Sequence, residues 1–91
     1  MQTPNLDVRF AASVQAAPRI GLIVPKHKHS AVDRNRLRRR LREIIRVELL
    51  PSVARGEALI RAKSEAYELS FAGLRTEIGS IKRWITSLEQ R

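Results

Sequence analysis

Residues 31–50 of the chain read AVDRNRLRRRLREIIRVELL and predict its most secure helix. Apolar residues recur through this stretch at helical spacing, and Pro51 follows at its end. The apolar positions are Leu37, Leu41, Ile44, Ile45 and Leu49. The helix therefore has one face that packs against other elements and another that faces solvent.

Shorter apolar runs on both sides of this helix predict three strands. Apolar residues alternate with polar or small ones over residues 6–12, residues 19–24 read RIGLIV before Pro25, and residues 57–62 read EALIRA after Gly56. The first two runs are close enough in the chain to form a hairpin. We expect the third strand to join the same sheet.

A second helix is predicted at the end of the chain, with Ser70 as its N-cap. Its apolar stripe consists of Phe71, Leu74, Ile78, Ile81, Ile85 and Leu88. Such a stripe favours a helix that lies on the sheet over the alternative, a coiled-coil dimer seam. The order β-β-α-β-α then predicts an α+β two-layer sandwich, with three or four strands covered by helices on one face.

The composition narrows the class of partner. A chain of 91 residues suits a single domain, here residues 1–91, and 18 Lys and Arg against 9 Asp and Glu give a net charge of +9 that attracts polyanions. Without cysteine there are no disulfides, and no apolar stretch is long enough to span a bilayer. No secretory signal is recognisable, so we expect a cytoplasmic protein with no membrane partner.

Most of the positive charge belongs to the first helix. Seven arginines lie between residues 34 and 46, with Glu43 as the one opposing charge, and together they carry +6 of the total +9. Like charges four residues apart destabilise a helix, and arginines near its start oppose the helix dipole, so this segment is suited to neutralisation by phosphates. A solvated basic face and duplex DNA in the major groove are the alternatives. We favour structured RNA, because the helix is tied between strands and no DNA-binding motif spacing is present.

Residues 31–43, AVDRNRLRRRLRE, resemble the signature of the bacterial ribonuclease P protein component. In that family an Ala, two variable residues, Arg-Asn-Arg, an aliphatic residue, two basic residues and a later Arg-Glu open a long helix. RIGLIVPK before the helix, GEALIRA after it and LSFAGLR near the second helix also resemble the family. The resemblance covers roughly residues 19–88.

The resemblance implies a ribosomal protein S5 domain 2-like sandwich, in which the Arg-Asn-Arg helix forms a left-handed crossover between parallel strands. It also implies the protein subunit of a ribonucleoprotein endonuclease, which binds a catalytic RNA and assists removal of the 5′ leader from precursor tRNA. Mg²⁺ would be held mainly by the RNA. The protein would contribute no catalytic residue and no metal ligand, and no obligate protein partner is implied.

The resemblance also indicates which residues would contact RNA. Those matching the family motif are Arg34, Asn35, Arg36, Arg38, Arg39 and Arg42, and the basic residues Arg46, Lys26 and Lys28 extend the same surface. Arg9 and Arg61 point away from the apolar rows of their strands and are candidate contacts for the single-stranded leader. His27 and His29 are interpreted as loop residues near phosphates, and Phe10 and Trp84 as core residues.

The chain departs from the family at two places. Family members usually begin with an extra basic helix and a longer first strand, whereas only residues 1–13 are available here, so we expect the N-terminal helix to be missing. Lys28 and His29 stand where an aliphatic residue and a glycine are common. The alternative function is therefore a non-catalytic protein that binds structured RNA, such as a ribosome-associated factor or a divergent paralogue.

Overall fold

A computed structural model describes residues 1–12 and 17–89 of the protein. Its strands and helices follow in the order β1 (Leu6–Ala11), β2 (Arg19–Ile23), α1 (Ala31–Ile44), β3 (Glu57–Ala62) and α2 (Phe71–Glu89). This is the predicted element order. The first helix continues beyond α1 as a π-helical turn (Ile45–Leu49) and a 3-10 turn (Leu50–Ser52), and another 3-10 turn (Ser64–Glu68) precedes α2.

The strands form one sheet in the order β1-β3-β2. β3 lies between the other two, antiparallel to β1 and parallel to β2, so the expected hairpin between β1 and β2 is wrong. The helical connection places β3 beside β2, and the remaining edge of β3 then accepts β1. Parallel neighbours joined through α1 are what the family resemblance implies, and the left hand of this crossover stays a prediction.

One face of the sheet is buried under both helices. Alternate residues of β1 and β3, such as Leu6, Val8 and Ile60, belong to a single core cluster with Leu41 of α1 and Ile78 of α2. Intervening residues of the same strands lie on the opposite face, which carries no helix in the described part of the chain. The predicted α+β two-layer sandwich is therefore confirmed.

The apolar stripe of α2 packs as predicted except at its two ends, since Leu88 at the far end is only half-buried and lies outside the core cluster. Leu74, Ile78, Ile81 and Ile85 are fully buried in the core, which confirms the helix-on-sheet interpretation. Ser70 caps the helix by accepting a hydrogen bond from the backbone N–H of Gly73 at 3.0 Å, also as predicted. Phe71, expected in the stripe, is instead 42% exposed because it lies in the first turn, at the border of the core.

Phe10 and Trp84 lie at the other end of the core. Both are partly buried and pack against the core cluster, and their rings meet edge to face with centroids 6.4 Å apart. They are therefore border residues of the core, because their large rings span the distance from the apolar layer to solvent.

The N-terminal residues are held by a buried carboxylate of α2. Glu77 accepts hydrogen bonds from the Thr3 hydroxyl and from the Asn5 backbone N–H, the latter at 2.9 Å. The Asn5 side-chain amide also donates to it. These donors replace the water that Glu77 loses on burial, so residues 1–5 are fixed to the sandwich without forming a helix.

Candidate nucleic-acid interface

The start of α1 is fixed by a cap and a tight connector. The Ser30 hydroxyl accepts a hydrogen bond from the backbone N–H of Asp33 at 3.1 Å. In the connector before it, His27 and Lys28 adopt positive φ angles of 49° and 70°, and the His29 N–H donates to the Lys26 carbonyl at 2.8 Å. This turn leaves the side chains of Lys26 and Lys28 exposed beside the first turn of α1.

Burial of Leu37, Leu41 and Ile44 against the core turns the opposite side of α1 toward solvent. The exposed polar residues on that side form what we call the arginine face, which consists of Asn35, Arg36, Arg39, Arg40, Arg42 and Arg46 together with one carboxylate, Glu43. A row of guanidinium groups on a rigid helix can bond several phosphates of one nucleic-acid backbone at once.

Arg34 and Arg38 differ from the arginine face because both are half-buried at its side. The Arg34 Nε donates to the carbonyl of Val24 at 2.7 Å, which ties the start of α1 to the chain just after β2. This bond uses one of the five guanidinium donors, so others can still reach a phosphate. Arg34 therefore also has a structural role, which the sequence pattern did not indicate.

The carboxylate on the arginine face is already paired. Glu43 accepts a hydrogen bond from Arg46 at 2.8 Å, and both side chains are largely exposed. Exposed pairs of this kind are weak and screened by salt, so a phosphate can replace the carboxylate as the partner of Arg46.

Aromatic rings cluster beside the arginines, and the sequence analysis did not find this cluster. The ring of His29 stacks on that of Tyr67 at 3.9 Å with an interplanar angle of 2°, and His27 approaches Tyr67 edge to face. Burial raises the pKa of the Tyr67 hydroxyl, an effect that the nearby Arg34 partly offsets. The contacts join residues about forty positions apart in the chain, so no local sequence pattern could have predicted them.

A groove lies between α1 and the start of α2. It has a volume of about 380 Å³, and its walls are Arg36, Arg39, Arg40, Glu43 and Phe71. Phe71 is the residue that sequence reasoning placed in the core, and here it faces the arginines instead.

A separate ion pair joins the end of the first helix to α2. Arg75 donates a hydrogen bond to Glu48, and this bond lowers the pKa of the Glu48 carboxyl and raises that of Arg75. Both groups are satisfied by each other, so this pair contributes to the contact between the helices and leaves the arginine face unchanged.

The open face of the sheet presents Arg9 and Arg61, as their positions in the strands predict. Arg61 pairs in register with Asp7 on β1, and Arg9 with Leu59 on β3, so the two arginines are diagonal neighbours. Arg19, which the sequence analysis did not single out, lies on the same face and pairs in register with Glu57. This surface is charged but mixed in sign, and its centre is apolar because Leu59 is 41% exposed.

The acidic and histidine side chains are dispersed over the described part of the chain. Within residues 1–12 and 17–89, no group of three or more His, Asp or Glu side chains could hold a metal ion. Asp7 lies on the open sheet face, whereas Asp33 lies in the first turn of α1, 3.7 Å from His29. We also find no helix in these ranges that is long and apolar enough to cross a membrane.

Comparison with known proteins gives consistent results. The family model described as Ribonuclease P matches residues 1–85. The ribonuclease P protein component of Syntrophobacter fumaroxidans is 34% identical over 83 residues, covering 89% of this chain and 69% of the relative. That of Acidothermus cellulolyticus is 42% identical over 60 residues, 66% of this chain, and the match spans only half of that relative's length.

The same fold is found in a solved structure. The RNase P protein of Staphylococcus aureus superposes with a TM-score of 0.80, over 91% of this chain and 76% of that one. At 18% sequence identity this likeness concerns the fold.

Proposed function

The chain belongs to the ribonuclease P protein family, and from this premise we propose that it is the protein subunit of a ribonuclease P ribonucleoprotein. In this proposal it binds the catalytic RNA in the cytoplasm and assists endonucleolytic removal of the 5′ leader from precursor tRNA.

The observation that carries the proposal is the arginine face. Its cations project from one rigid helix whose opposite side is buried in the core. The protein itself neutralises little of this positive charge, because the one carboxylate on the arginine face pairs only with Arg46, at an exposed position. A folded RNA supplies closely spaced phosphates, and their counterions are released when arginines replace them.

The residues that would bind the catalytic RNA fall into two groups. The exposed group consists of Asn35, Arg36, Arg39, Arg40, Arg42 and Arg46 of the arginine face with Lys26 and Lys28 of the connector. The half-buried group consists of Arg34 and Arg38, which would contact the RNA where it passes over the side of the helix. We expect the exposed group to carry most of the salt-dependent affinity.

We assign catalysis and the main Mg²⁺ sites to the RNA subunit. The dispersed carboxylates of the described chain support this division, because hydrolysis of a phosphodiester with Mg²⁺ needs several oxygen ligands close together. The protein would contribute by neutralising phosphates that otherwise repel each other when RNA and precursor tRNA meet, which reduces the Mg²⁺ that the reaction requires.

The precursor tRNA leader would contact the open sheet face. Arg9 and Arg61 can bond its phosphates, and the exposed Leu59 offers an apolar surface between them to an unpaired base. Asp7 and Glu57 on the same face limit its positive charge. We therefore expect leader contacts to be weaker than those of the arginine face.

The test is cleavage of a precursor tRNA by a bacterial ribonuclease P RNA at low Mg²⁺. The wild type is compared with two triple variants. In one, Arg36, Arg39 and Arg42 are changed together to Ala, and in the other Arg55, Lys82 and Arg83 are. The second triple variant is a matched control, because it removes the same charge from exposed positions outside the arginine face. We expect wild type and control to stimulate cleavage, and the arginine-face variant to lose roughly tenfold or more of this stimulation.

Each other outcome has a defined meaning. Tight RNA binding by the wild type without any stimulation would contradict the subunit role and leave a non-catalytic RNA-binding protein. Equal losses in the two triple variants would contradict the assignment of the RNA contact to α1.

A further inference from the structure

Phe71 is an exposed aromatic residue that does not belong to the hydrophobic core. The apolar layer of α2 is completed by Leu74 and the residues after it, which are fully buried. Phe71 stands in the first turn of α2, held by the Ser70 cap. Its ring is therefore presented from a fixed piece of backbone and is 42% exposed.

The surroundings of this ring are basic. In the groove of about 380 Å³, Phe71 shares the walls with Arg36, Arg39 and Arg40. An aromatic ring can stack on a nucleobase, and the guanidinium groups beside it can bond the phosphates that flank that base. A nucleotide offers both of these groups. The groove does not suit the apolar side of a partner protein, because three cations would lose water there without gaining anions.

Glu43 favours binding of the base, and not of a phosphate, inside the groove. Its carboxylate lines the same wall and can only accept hydrogen bonds, and a phosphate diester has no donor to offer it. A nucleobase carries no charge and can donate hydrogen bonds to such a carboxylate. The base therefore fits inside, with its flanking phosphates outside on the arginines.

We propose that this groove binds one unpaired nucleobase of the RNA held by the arginine face, stacked on Phe71. The inference deepens the proposed function and rests on it. The base must be unpaired because both faces of a base inside a duplex are already covered by its neighbours, whereas a bulged or looped-out base has a free face. The protein would then distinguish RNA with an unpaired base from fully paired RNA, in addition to binding phosphates through the arginine face.

The test uses two RNA probes, a short fully paired duplex and the same duplex with one extra, unpaired adenine. We expect the wild-type protein to bind the bulged probe about tenfold more tightly, which lies within the range measured for base stacking on aromatic side chains. Phe71→Ala should abolish this preference and leave the affinity for the paired duplex unchanged. Phe71→Trp should retain the preference, because it keeps a large aromatic face.

A second readout reports the stack directly. When the unpaired adenine is replaced by 2-aminopurine, its fluorescence should be quenched on binding to wild type and to Phe71→Trp, but not to Phe71→Ala. Val47→Ala is the control, since Val47 is 53% exposed and does not line the groove. Both Ala variants should still unfold in one cooperative thermal transition, because neither side chain belongs to the buried core.

The outcomes separate the inference from the function on which it rests. If wild type binds both probes with equal affinity, the stacking site is wrong and RNA binding by the arginine face stands. If Phe71→Ala weakens binding to both probes equally, Phe71 acts on the arginine face as a whole and the stacking site is again wrong. If wild type binds neither these probes nor a ribonuclease P RNA, the proposed function itself fails.

Discussion

Gly56 lies just before β3, where the chain packs closely against both β1 and β2. Its φ angle is +114°, a backbone conformation that residues with a side chain rarely adopt. A Cβ added there would lie 2.8 Å from the carbonyl oxygen of Ala11 and 2.8 Å from the Phe10 ring. Its own carbonyl accepts a hydrogen bond from the Arg19 N–H at 3.1 Å, so β1, β2 and β3 all depend on this residue.

We predict that Gly56→Ala lowers the free energy of unfolding by about 2–4 kcal/mol, the sum of backbone strain and overpacking. Gly79→Ala is the matched control. A Cβ at Gly79, inside α2, would meet its nearest atom, Arg83 Nη1, at an ordinary 3.7 Å. That change should raise stability by about 0.5–1 kcal/mol, because alanine favours the helix. Urea denaturation of both variants checks the pair, and a loss for Gly56→Ala below about 1 kcal/mol would contradict this role.

Single residues also show where sequence reasoning ends. Helical periodicity correctly separated the exposed arginines from Leu37 and Leu41, because burial of one helix face depends on spacing alone. It did not indicate that Arg34 donates a hydrogen bond to the Val24 carbonyl, or that Phe71 lies outside the core. Both depend on contacts between different elements, which leave no local sequence pattern.

Among the elements, the contact between residues 1–5 and α2 is the least expected. It depends on Glu77, which faces the core side of a helix and is nevertheless charged and buried. Three donors from Thr3 and Asn5 converge on this carboxylate. The same segment also protects β1, because the Val8 N–H donates to the Met1 carbonyl at 2.9 Å and the Leu6 N–H to the Thr3 hydroxyl at 3.0 Å.

We predict that Glu77→Gln destabilises the protein by about 1–3 kcal/mol, because an amide NH₂ would face another donor where the carboxylate now accepts. The backbone amides of Leu6 and Val8 should exchange hydrogen faster as residues 1–5 detach. Glu68→Gln, at an exposed site, removes the same charge and should change stability by less than about 0.5 kcal/mol. Denaturant unfolding with hydrogen exchange measures both effects, and unchanged protection at Leu6 and Val8 would refute the anchoring role of Glu77.

Local sequence patterns predicted the elements themselves, whereas the parallel pairing of β2 with β3 was indicated only by the family resemblance. β3 has the predicted bounds, and both helices begin where the pattern indicates, because alternation and helical spacing are local properties. The hairpin between β1 and β2 was wrong because short chain separation does not decide which edges meet. The place of β1 at the free edge of β3 depends on three-dimensional packing, which no local pattern specifies.

On the scale of the whole molecule, the two surfaces assigned to RNA are separate. The arginine face lies on the outer side of α1, and the open sheet face lies beyond the core on the other side of the sandwich. One is almost uniformly basic, and the other mixes Arg9, Arg19 and Arg61 with two carboxylates. Under the proposed function, this arrangement would let the protein contact the catalytic RNA on one side and the precursor tRNA leader on the other.

Under the proposed function, the catalytic RNA binds the arginine face specifically and is not held by the net charge of +9 alone. The most direct measurement is the dissociation constant for a bacterial ribonuclease P RNA as a function of salt, for the wild type and the two triple variants described above. Changing Arg36, Arg39 and Arg42 to Ala should reduce the slope of log affinity against log salt by about 2–3, whereas changing Arg55, Lys82 and Arg83 should reduce it by less than about 1. Equal slopes for the two variants would show that charge anywhere on the surface suffices, and would contradict the account.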